Sequence, residues 1–140
     1  MEKNLDNLKQ QFQLEDRDLR TYSPLTLAYI GDCVYELIIR TILVKRGHCP
    51  VNQLHKKASS LVKASAQSAM IEKIEPVLTE EEHGVYKRGR NAHSGTMAKH
   101  ATMSDYRRAT GFEALVGYLY LKEDFSRILE LVKLGLPQEY

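Results

Sequence analysis

Two carboxylates stand where carboxylates are expensive. Asp32 lies in Ala28-Tyr29-Ile30-Gly31-Asp32-Cys33-Val34-Tyr35, in the middle of one apolar stretch. Glu113 lies in Thr110-Gly111-Phe112-Glu113-Ala114-Leu115-Val116-Gly117, in the middle of another. An unpaired ionised carboxylate in a protein core is strongly unfavourable, so each must be paired with a base, open to a cleft, or bound to a cation. Each also has a glycine close by, Gly31 and Gly111, although an interior helical glycine costs about 1 kcal/mol relative to alanine. A glycine inside a packed helix lets another backbone or a ligand approach. If the two segments cross at those glycines, Asp32 and Glu113 face one another and can share a metal ion. The competing reading is structural, an ion pair to Arg40, Arg107 or Arg108. Glu36 lies one turn after Asp32 on the same helical face. A pair with Arg40, again one turn on, accounts for it better than a third acidic ligand does.

Other chemistry-bearing groups are sparser. Cys33 and Cys49 make no disulfide framework. Cys33 reads as a small packed hydrophobe. Cys49 has His48 beside it and His55 nearby, but no CxxC or HxxxH spacing supports a closed zinc site. The formal charge of the 140-residue chain is only +2, yet the charge is divided. Lys87, Arg88, Arg90, Lys99, Arg107 and Arg108 are opposed between positions 87 and 108 by Asp105 alone, which makes that segment +5 and the remainder −3. Such a division fits a local anionic partner, and equally a solvated charged face.

The elements that must position these groups are helical. Ser23-Pro24 opens a helix over Leu25–Arg46, the serine capping free N–H groups and the proline fitting the first turn. It stops at Gly47, with Lys45 and Arg46 on its negative end. Its apolar residues run nearly all round, which predicts a central, buried helix. Asn52 caps a stretch from Gln53 to about Ile74, interrupted near Lys63–Ser65 and broken at Pro76. Thr79-Glu80-Glu81-Glu82 is a capping box for a helix running to Gly89. Residues 89–103 read as an exposed loop. Ser104 caps a long helix, Asp105–Lys122, and Asp124 caps the last one, to about Leu134. No segment shows strand alternation. The expected fold is all-α, a helical bundle, with residues 1–22 a short helix or arm, 23–134 the working domain and 135–140 a tail. Hydrophobic residues at 43% and charged ones at 27% are ordinary globular values. With no apolar run of membrane-spanning length and a polar N-terminus, no membrane partner and a cytoplasmic location are expected.

Leu27–Leu37 resembles the signature helix of the ribonuclease III family, whose core is Glu-Phe-Leu-Gly-Asp-Ala. Phe112-Glu113-Ala114-Leu115 is similar to that family's second motif, Asp-x-Phe-Glu-Ala. Leu54-His55-Lys56-Lys57-Ala58-Ser59 and Lys87-Arg88-Gly89-Arg90-Asn91 resemble stretches of its mini-ribonuclease III group, which lacks the C-terminal double-stranded RNA-binding domain. The likeness spans roughly residues 23–134. It implies an all-helical ribonuclease III-type nuclease domain that uses Mg²⁺ to cut double-stranded RNA, leaving 5′-phosphate and 3′-hydroxyl ends. It also implies ribosomal RNA precursors (23S maturation) as substrate, and a homodimer. Of the four acids that the longer family members supply, only Asp32 and Glu113 carry over, as catalytic and metal-binding residues. Ala28 and Thr110 stand where the motifs have glutamate and aspartate. Magnesium tolerates this thinning, because it keeps several waters and needs only one or two protein carboxylates.

The basic segment then acquires a role, since duplex RNA is read mostly through phosphates and 2′-hydroxyls. Lys87, Arg88, Arg90 and Lys99 suit phosphates, while Asn91, His93 and Ser94 suit 2′-hydroxyls. Lys56 and Lys57 are second-rank candidates. His93 and His100 read as surface residues rather than bases. Arg107 and Arg108 are expected to position the carboxylates. Tyr29, Tyr35, Tyr118 and Tyr120 read as core or interface. One site cuts one strand, so two sites related by two-fold symmetry suit a duplex, with the apolar helix 25–43 as interface. The rival class is a non-catalytic RNA- or ribosome-binding helical module, supported by Ala28 and Thr110. A purely structural dimerisation domain would leave the basic segment unexplained.

Overall fold

The computed structural model describes residues 2–47, 49–92 and 102–140, with no strand among them. Among the described residues seven helices follow in order: α1 (Glu2–Phe12), α2 (Pro24–Arg46), α3 (Val51–Val62), α4 (Ala64–Ile74), α5 (Glu80–Asn91), α6 (Met103–Leu121) and α7 (Phe125–Gly135). Short 3₁₀ turns occupy Leu19–Thr21 and Glu75–Val77.

Local chemistry accounts for most of the boundaries. The Ser23 side chain accepts from the Thr26 N–H, with Pro24 in the first turn of α2. Thr79 and Glu82 form the expected reciprocal capping box. Asp124 accepts from the Arg127 N–H at the head of α7. Three expectations need correction. Pro50, not Asn52, precedes α3, so the first turn begins before the asparagine. Thr102, not Ser104, caps α6, its hydroxyl accepting from Asp105 N–H, which shifts the cap by two residues. Helix α5 runs through Gly89 to Asn91 rather than stopping at the glycine. Gly89 sits where an added Cβ would meet Ala114 Cβ at 2.7 Å, so it serves helix packing there and not termination.

Helix α6 is the axis of the molecule, lying against α2, α4, α5 and α7. Tyr35, Ile39, Ile71, Ile74, Phe112, Leu115, Leu119 and Ile128 are almost wholly buried between these helices. Tyr35 meets Phe112 edge-to-face at 5.1 Å, and its hydroxyl donates to the Leu61 carbonyl at 2.9 Å. A buried phenol thereby keeps its polar end satisfied. Helix α1 is tied to the bundle by Lys9, whose ammonium reaches Glu123 at 3.0 Å and Asp16 at 3.1 Å.

Helix α2 is not buried all round. Leu27, Ala28, Gly31, Val34, Tyr35, Ile38, Ile39 and Leu43 face the bundle, whereas Leu25, Tyr29, Cys33, Leu37 and Val44 are exposed. Cys33 is therefore not a packed core residue. The exposed set recurs mostly every fourth residue, so it is a single stripe along one side of the helix.

Candidate active site

The α2–α6 crossing sets the site. A Cβ built on Gly31 would fall 1.8 Å from the Glu113 carbonyl oxygen, and one on Gly117 would fall 1.9 Å from the Leu27 carbonyl oxygen. The two backbones touch, and neither position has room for a side chain. The crossing glycines are thus Gly31 and Gly117, not Gly31 and Gly111. Gly111 instead admits α5, since a Cβ there would meet the Tyr86 ring and carbonyl at 2.7–2.8 Å. The sequence shows glycines at both ends of the α6 motif, and only the crossing angle decides which one meets α2.

This contact places the Asp32 and Glu113 carboxyls within hydrogen-bond reach of one another. Burial, and then the hydrogen bond to Asp32 and its charge, push Glu113 up to about 9, with the Gln67 amide opposing the rise. Among the described residues neither carboxylate enters a salt bridge. Arg40 is taken by Glu36 at 2.9 Å, as expected. Arg108 is taken by Glu72 at 3.0 Å and Ser68 at 3.3 Å, so it does not position the two acids. Two carboxylates held together without a base repel when both are ionised. Their arrangement is relieved either by a shared proton or by a cation.

The donor set fits a hard, hydrated divalent cation, which takes one or two carboxylates and fills its remaining positions with water and phosphate oxygens. Among the described residues no group of three or more Asp, Glu, His or Cys is placed to hold a metal. Cys49 has Lys57 Nζ 3.5 Å away, and His48 lies outside the described residues. One polar neighbour was invisible in the sequence. Gln67, in the first turns of α4, is 2% exposed. Its Nε2 donates to the Val62 carbonyl at 2.8 Å, and the same carboxamide lies by Glu113. A lone glutamine in a helix of mixed polarity gives no signal. Its importance comes from the sharp α3–α4 junction at Lys63, which aims that turn at α6.

The basic candidates are not gathered into one stripe. Lys87 and Arg88 are exposed on α5. Arg88 borders a wide depression shared with Arg20, Glu80, Glu81, Lys122 and Arg127. Arg90, whose guanidinium lies 5.6 Å over the Tyr86 ring, lines a separate depression with Asn91, Met103, Ser104, Arg107 and Arg108. Lys56 and Lys57 are exposed on α3. His93, Ser94, Lys99 and His100 lie outside the described residues. Tyr35 is core, as expected. Tyr118 donates to Glu81 from the half-buried flank of α6, and Tyr29 is 81% exposed.

Comparison with known proteins gives the family of the fold. The family model "Ribonuclease III domain" matches residues 25–124, which include both carboxylates. The Mini-ribonuclease 3 of Clostridium tetani is 53% identical over 119 residues, covering 84% of this chain and 79% of that one. That of Thermoanaerobacter sp. is 43% identical over 137 residues, covering 97% and 96%. A crystal structure of a protein from Fusobacterium nucleatum aligns with a TM-score of 0.79 at 32% identity, covering 89% of this chain and 99% of that chain. The chain belongs to the ribonuclease III family, on its mini-ribonuclease III branch, and is an endoribonuclease of the class that acts on double-stranded RNA.

Proposed function

We propose that this enzyme hydrolyses the phosphodiester bonds of double-stranded RNA at the Asp32–Glu113 pair with the help of Mg²⁺, leaving 5′-phosphate and 3′-hydroxyl ends. The observation that carries the reading is the pair itself: two carboxyls brought together by a glycine-to-backbone helix crossing, with no basic side chain among the described residues to neutralise them. Asp32 and Glu113 would hold the ion. When bound, Mg²⁺ supplies a Lewis acid that acidifies coordinated water and offsets charge on the reacting phosphate. The chain's own contribution is to keep the two carboxyls at fixed separation on rigid helices. Glu113 must give up its proton to serve as a ligand, and Asp32 beside it favours the ionised pair only when a cation is shared.

Lys87, Arg88, Arg90 and Asn91 on α5, Lys56 and Lys57 on α3, and His93 and Lys99 are proposed to contact the phosphate and 2′-hydroxyl surface of the duplex. Residues 23–134 are proposed as the nuclease domain. The exposed stripe Leu25, Tyr29, Cys33, Leu37 and Val44 supports a homodimer about α2. Asp32 lies next to that stripe, so a two-fold packing there would bring two sites near each other, one for each strand. Ribosomal RNA precursors, including the 23S precursor, are the proposed natural substrate, on family likeness. Among the described residues no helix is long and apolar enough to cross a membrane, which accords with a proposed cytoplasmic location.

Incubation with long double-stranded RNA, with and without Mg²⁺, tests the reading. Cleavage should require the cation. Asp32→Asn should abolish cleavage with the fold retained, and Glu113→Gln should behave alike. Cleavage by Asp32→Asn at the wild-type rate would show that Asp32 is structural.

A further inference from the structure

Gln67 is the one side chain among the described residues with a buried polar atom lacking any partner in the protein, its Oε1. The amide orientation is fixed by chemistry, because Nε2 lies 2.8 Å from the Val62 carbonyl oxygen. Turning the group over would set two acceptors against each other. Buried acceptors are nearly always satisfied, and leaving one unsatisfied is destabilising. A leucine or methionine in this place would fill the same space at no such cost. Helix α4, which carries this carboxamide, packs on α6, and the amide opposes the rise of Glu113, the more buried of the two carboxylates. The site otherwise offers only two acids, since Glu36 is committed to Arg40 and Ala28 and Thr110 carry no charge.

We propose that Gln67 is a positioning residue of the cation site, its Oε1 accepting a hydrogen bond from a water of the bound divalent ion while its Nε2 steadies Glu113 and the α3–α4 junction. The proposal rests on the reading of Asp32 and Glu113 as the cation site. Mg²⁺ with two carboxylates retains several waters, and each water offers protons that need acceptors. Metal sites are commonly completed by such outer partners, and losing one typically lowers affinity roughly 10- to 100-fold. Gln67 thus supplies by hydrogen bonding part of what further acids would supply by charge. It also leaves the metal-free pocket with less like-charge repulsion.

The test is Mn²⁺ affinity of the RNA-free protein, measured by electron paramagnetic resonance titration of free Mn²⁺, with folding monitored by circular dichroism. Gln67→Met keeps the volume and removes the acceptor, so its dissociation constant should rise roughly tenfold or more. Gln67→Glu keeps an acceptor oxygen in the same shape but loses the donor to Val62. It should bind Mn²⁺ at least as tightly as the wild type, even if its melting temperature falls. A merely structural glutamine predicts that cation affinity follows fold stability, with both variants weakened together. Should Gln67→Met be unfolded, Gln67→Glu decides alone: weaker binding than wild type overturns the proposal. Asp32→Asn separates the two readings. If it leaves Mn²⁺ affinity unchanged, the site itself is misplaced and the Gln67 role falls with it. If it abolishes binding while Gln67→Met binds as wild type, only the role of Gln67 is overturned.

Discussion

Gly31→Ala and Gly84→Ala are the same chemical change in two helices, and the structure assigns them opposite signs. At Gly31 the new Cβ would lie 1.8 Å from the Glu113 carbonyl oxygen and 2.7 Å from the Gly117 nitrogen, both backbone atoms of α6. A relaxed separation between such atoms is about 3.5 Å, so α2 and α6 must part by roughly 1.5 Å along most of their crossing. Overpacking costs typically about 1–3 kcal/mol, and here no side chain can rotate away, so the upper end applies. Helix propensity returns about 1 kcal/mol, which leaves a net loss of about 2 kcal/mol. At Gly84 the new Cβ would meet only the end of the Arg88 side chain, at 3.4 Å. Propensity then dominates, and Gly84→Ala should stabilise by about 0.5–1 kcal/mol. Urea unfolding at one fixed protein concentration reads both, because association would otherwise shift the midpoints. Gly31→Ala should also weaken divalent cation binding, since the displaced atom belongs to Glu113. Equal midpoints for the two variants would refute the claim that α2 and α6 meet backbone to backbone at this point.

Replacing Lys87, Arg88 and Arg90 with alanine should weaken duplex RNA binding and flatten the slope of log K against log salt by up to about 0.9 for each phosphate left without its cationic partner. An unchanged slope would move the RNA surface toward Lys56 and Lys57. The Glu82 carboxylate, 7% exposed, is gripped by Arg127 at 2.8 and 2.9 Å, and the hydrogen bond from Arg127, partly offset by burial, holds it below its ordinary value of 4.5. This stability is present above pH 4.5 and is lost as pH falls through the lowered value. Arg127→Met should therefore cost about 3 kcal/mol at neutral pH, with the gap to wild type shrinking as pH falls below 4.5, and a gap independent of pH would sink the pairing. Tyr29→Glu and Leu37→Glu place charges on the exposed stripe of α2 without entering the core. Sedimentation should show wild type near twice 16.0 kDa and both variants at the monomer mass with unchanged circular dichroism. A monomeric wild type would contradict the dimer.

What could be read from the chain alone was local or nearly so. Ser23-Pro24, the Thr79–Glu82 box and Asp124 announce helix starts because the capping side chain and the N–H groups that it satisfies are a few residues apart. The cost of a carboxylate among apolar neighbours singled out Asp32 and Glu113, but burial inferred from flanking residues holds only for Glu113, whereas Asp32 is exposed on α2. The i+4 partnership of Glu36 with Arg40 follows from helical geometry alone. Decisions that turned on the meeting of distant segments were beyond it. Whether α6 crosses α2 at Gly111 or Gly117 depends on the packing angle. Which side of α2 stays exposed depends on which faces α3, α5 and α6 leave uncovered, and a helix apolar nearly all round carries no phase to reveal it. Arg108 turned to Glu72 rather than to the acids because α4 lies closer to it than any spacing in the chain discloses. Gln67 became a neighbour of Glu113 only when the chain turned at Lys63, bringing residues far apart in sequence onto one carboxyl group.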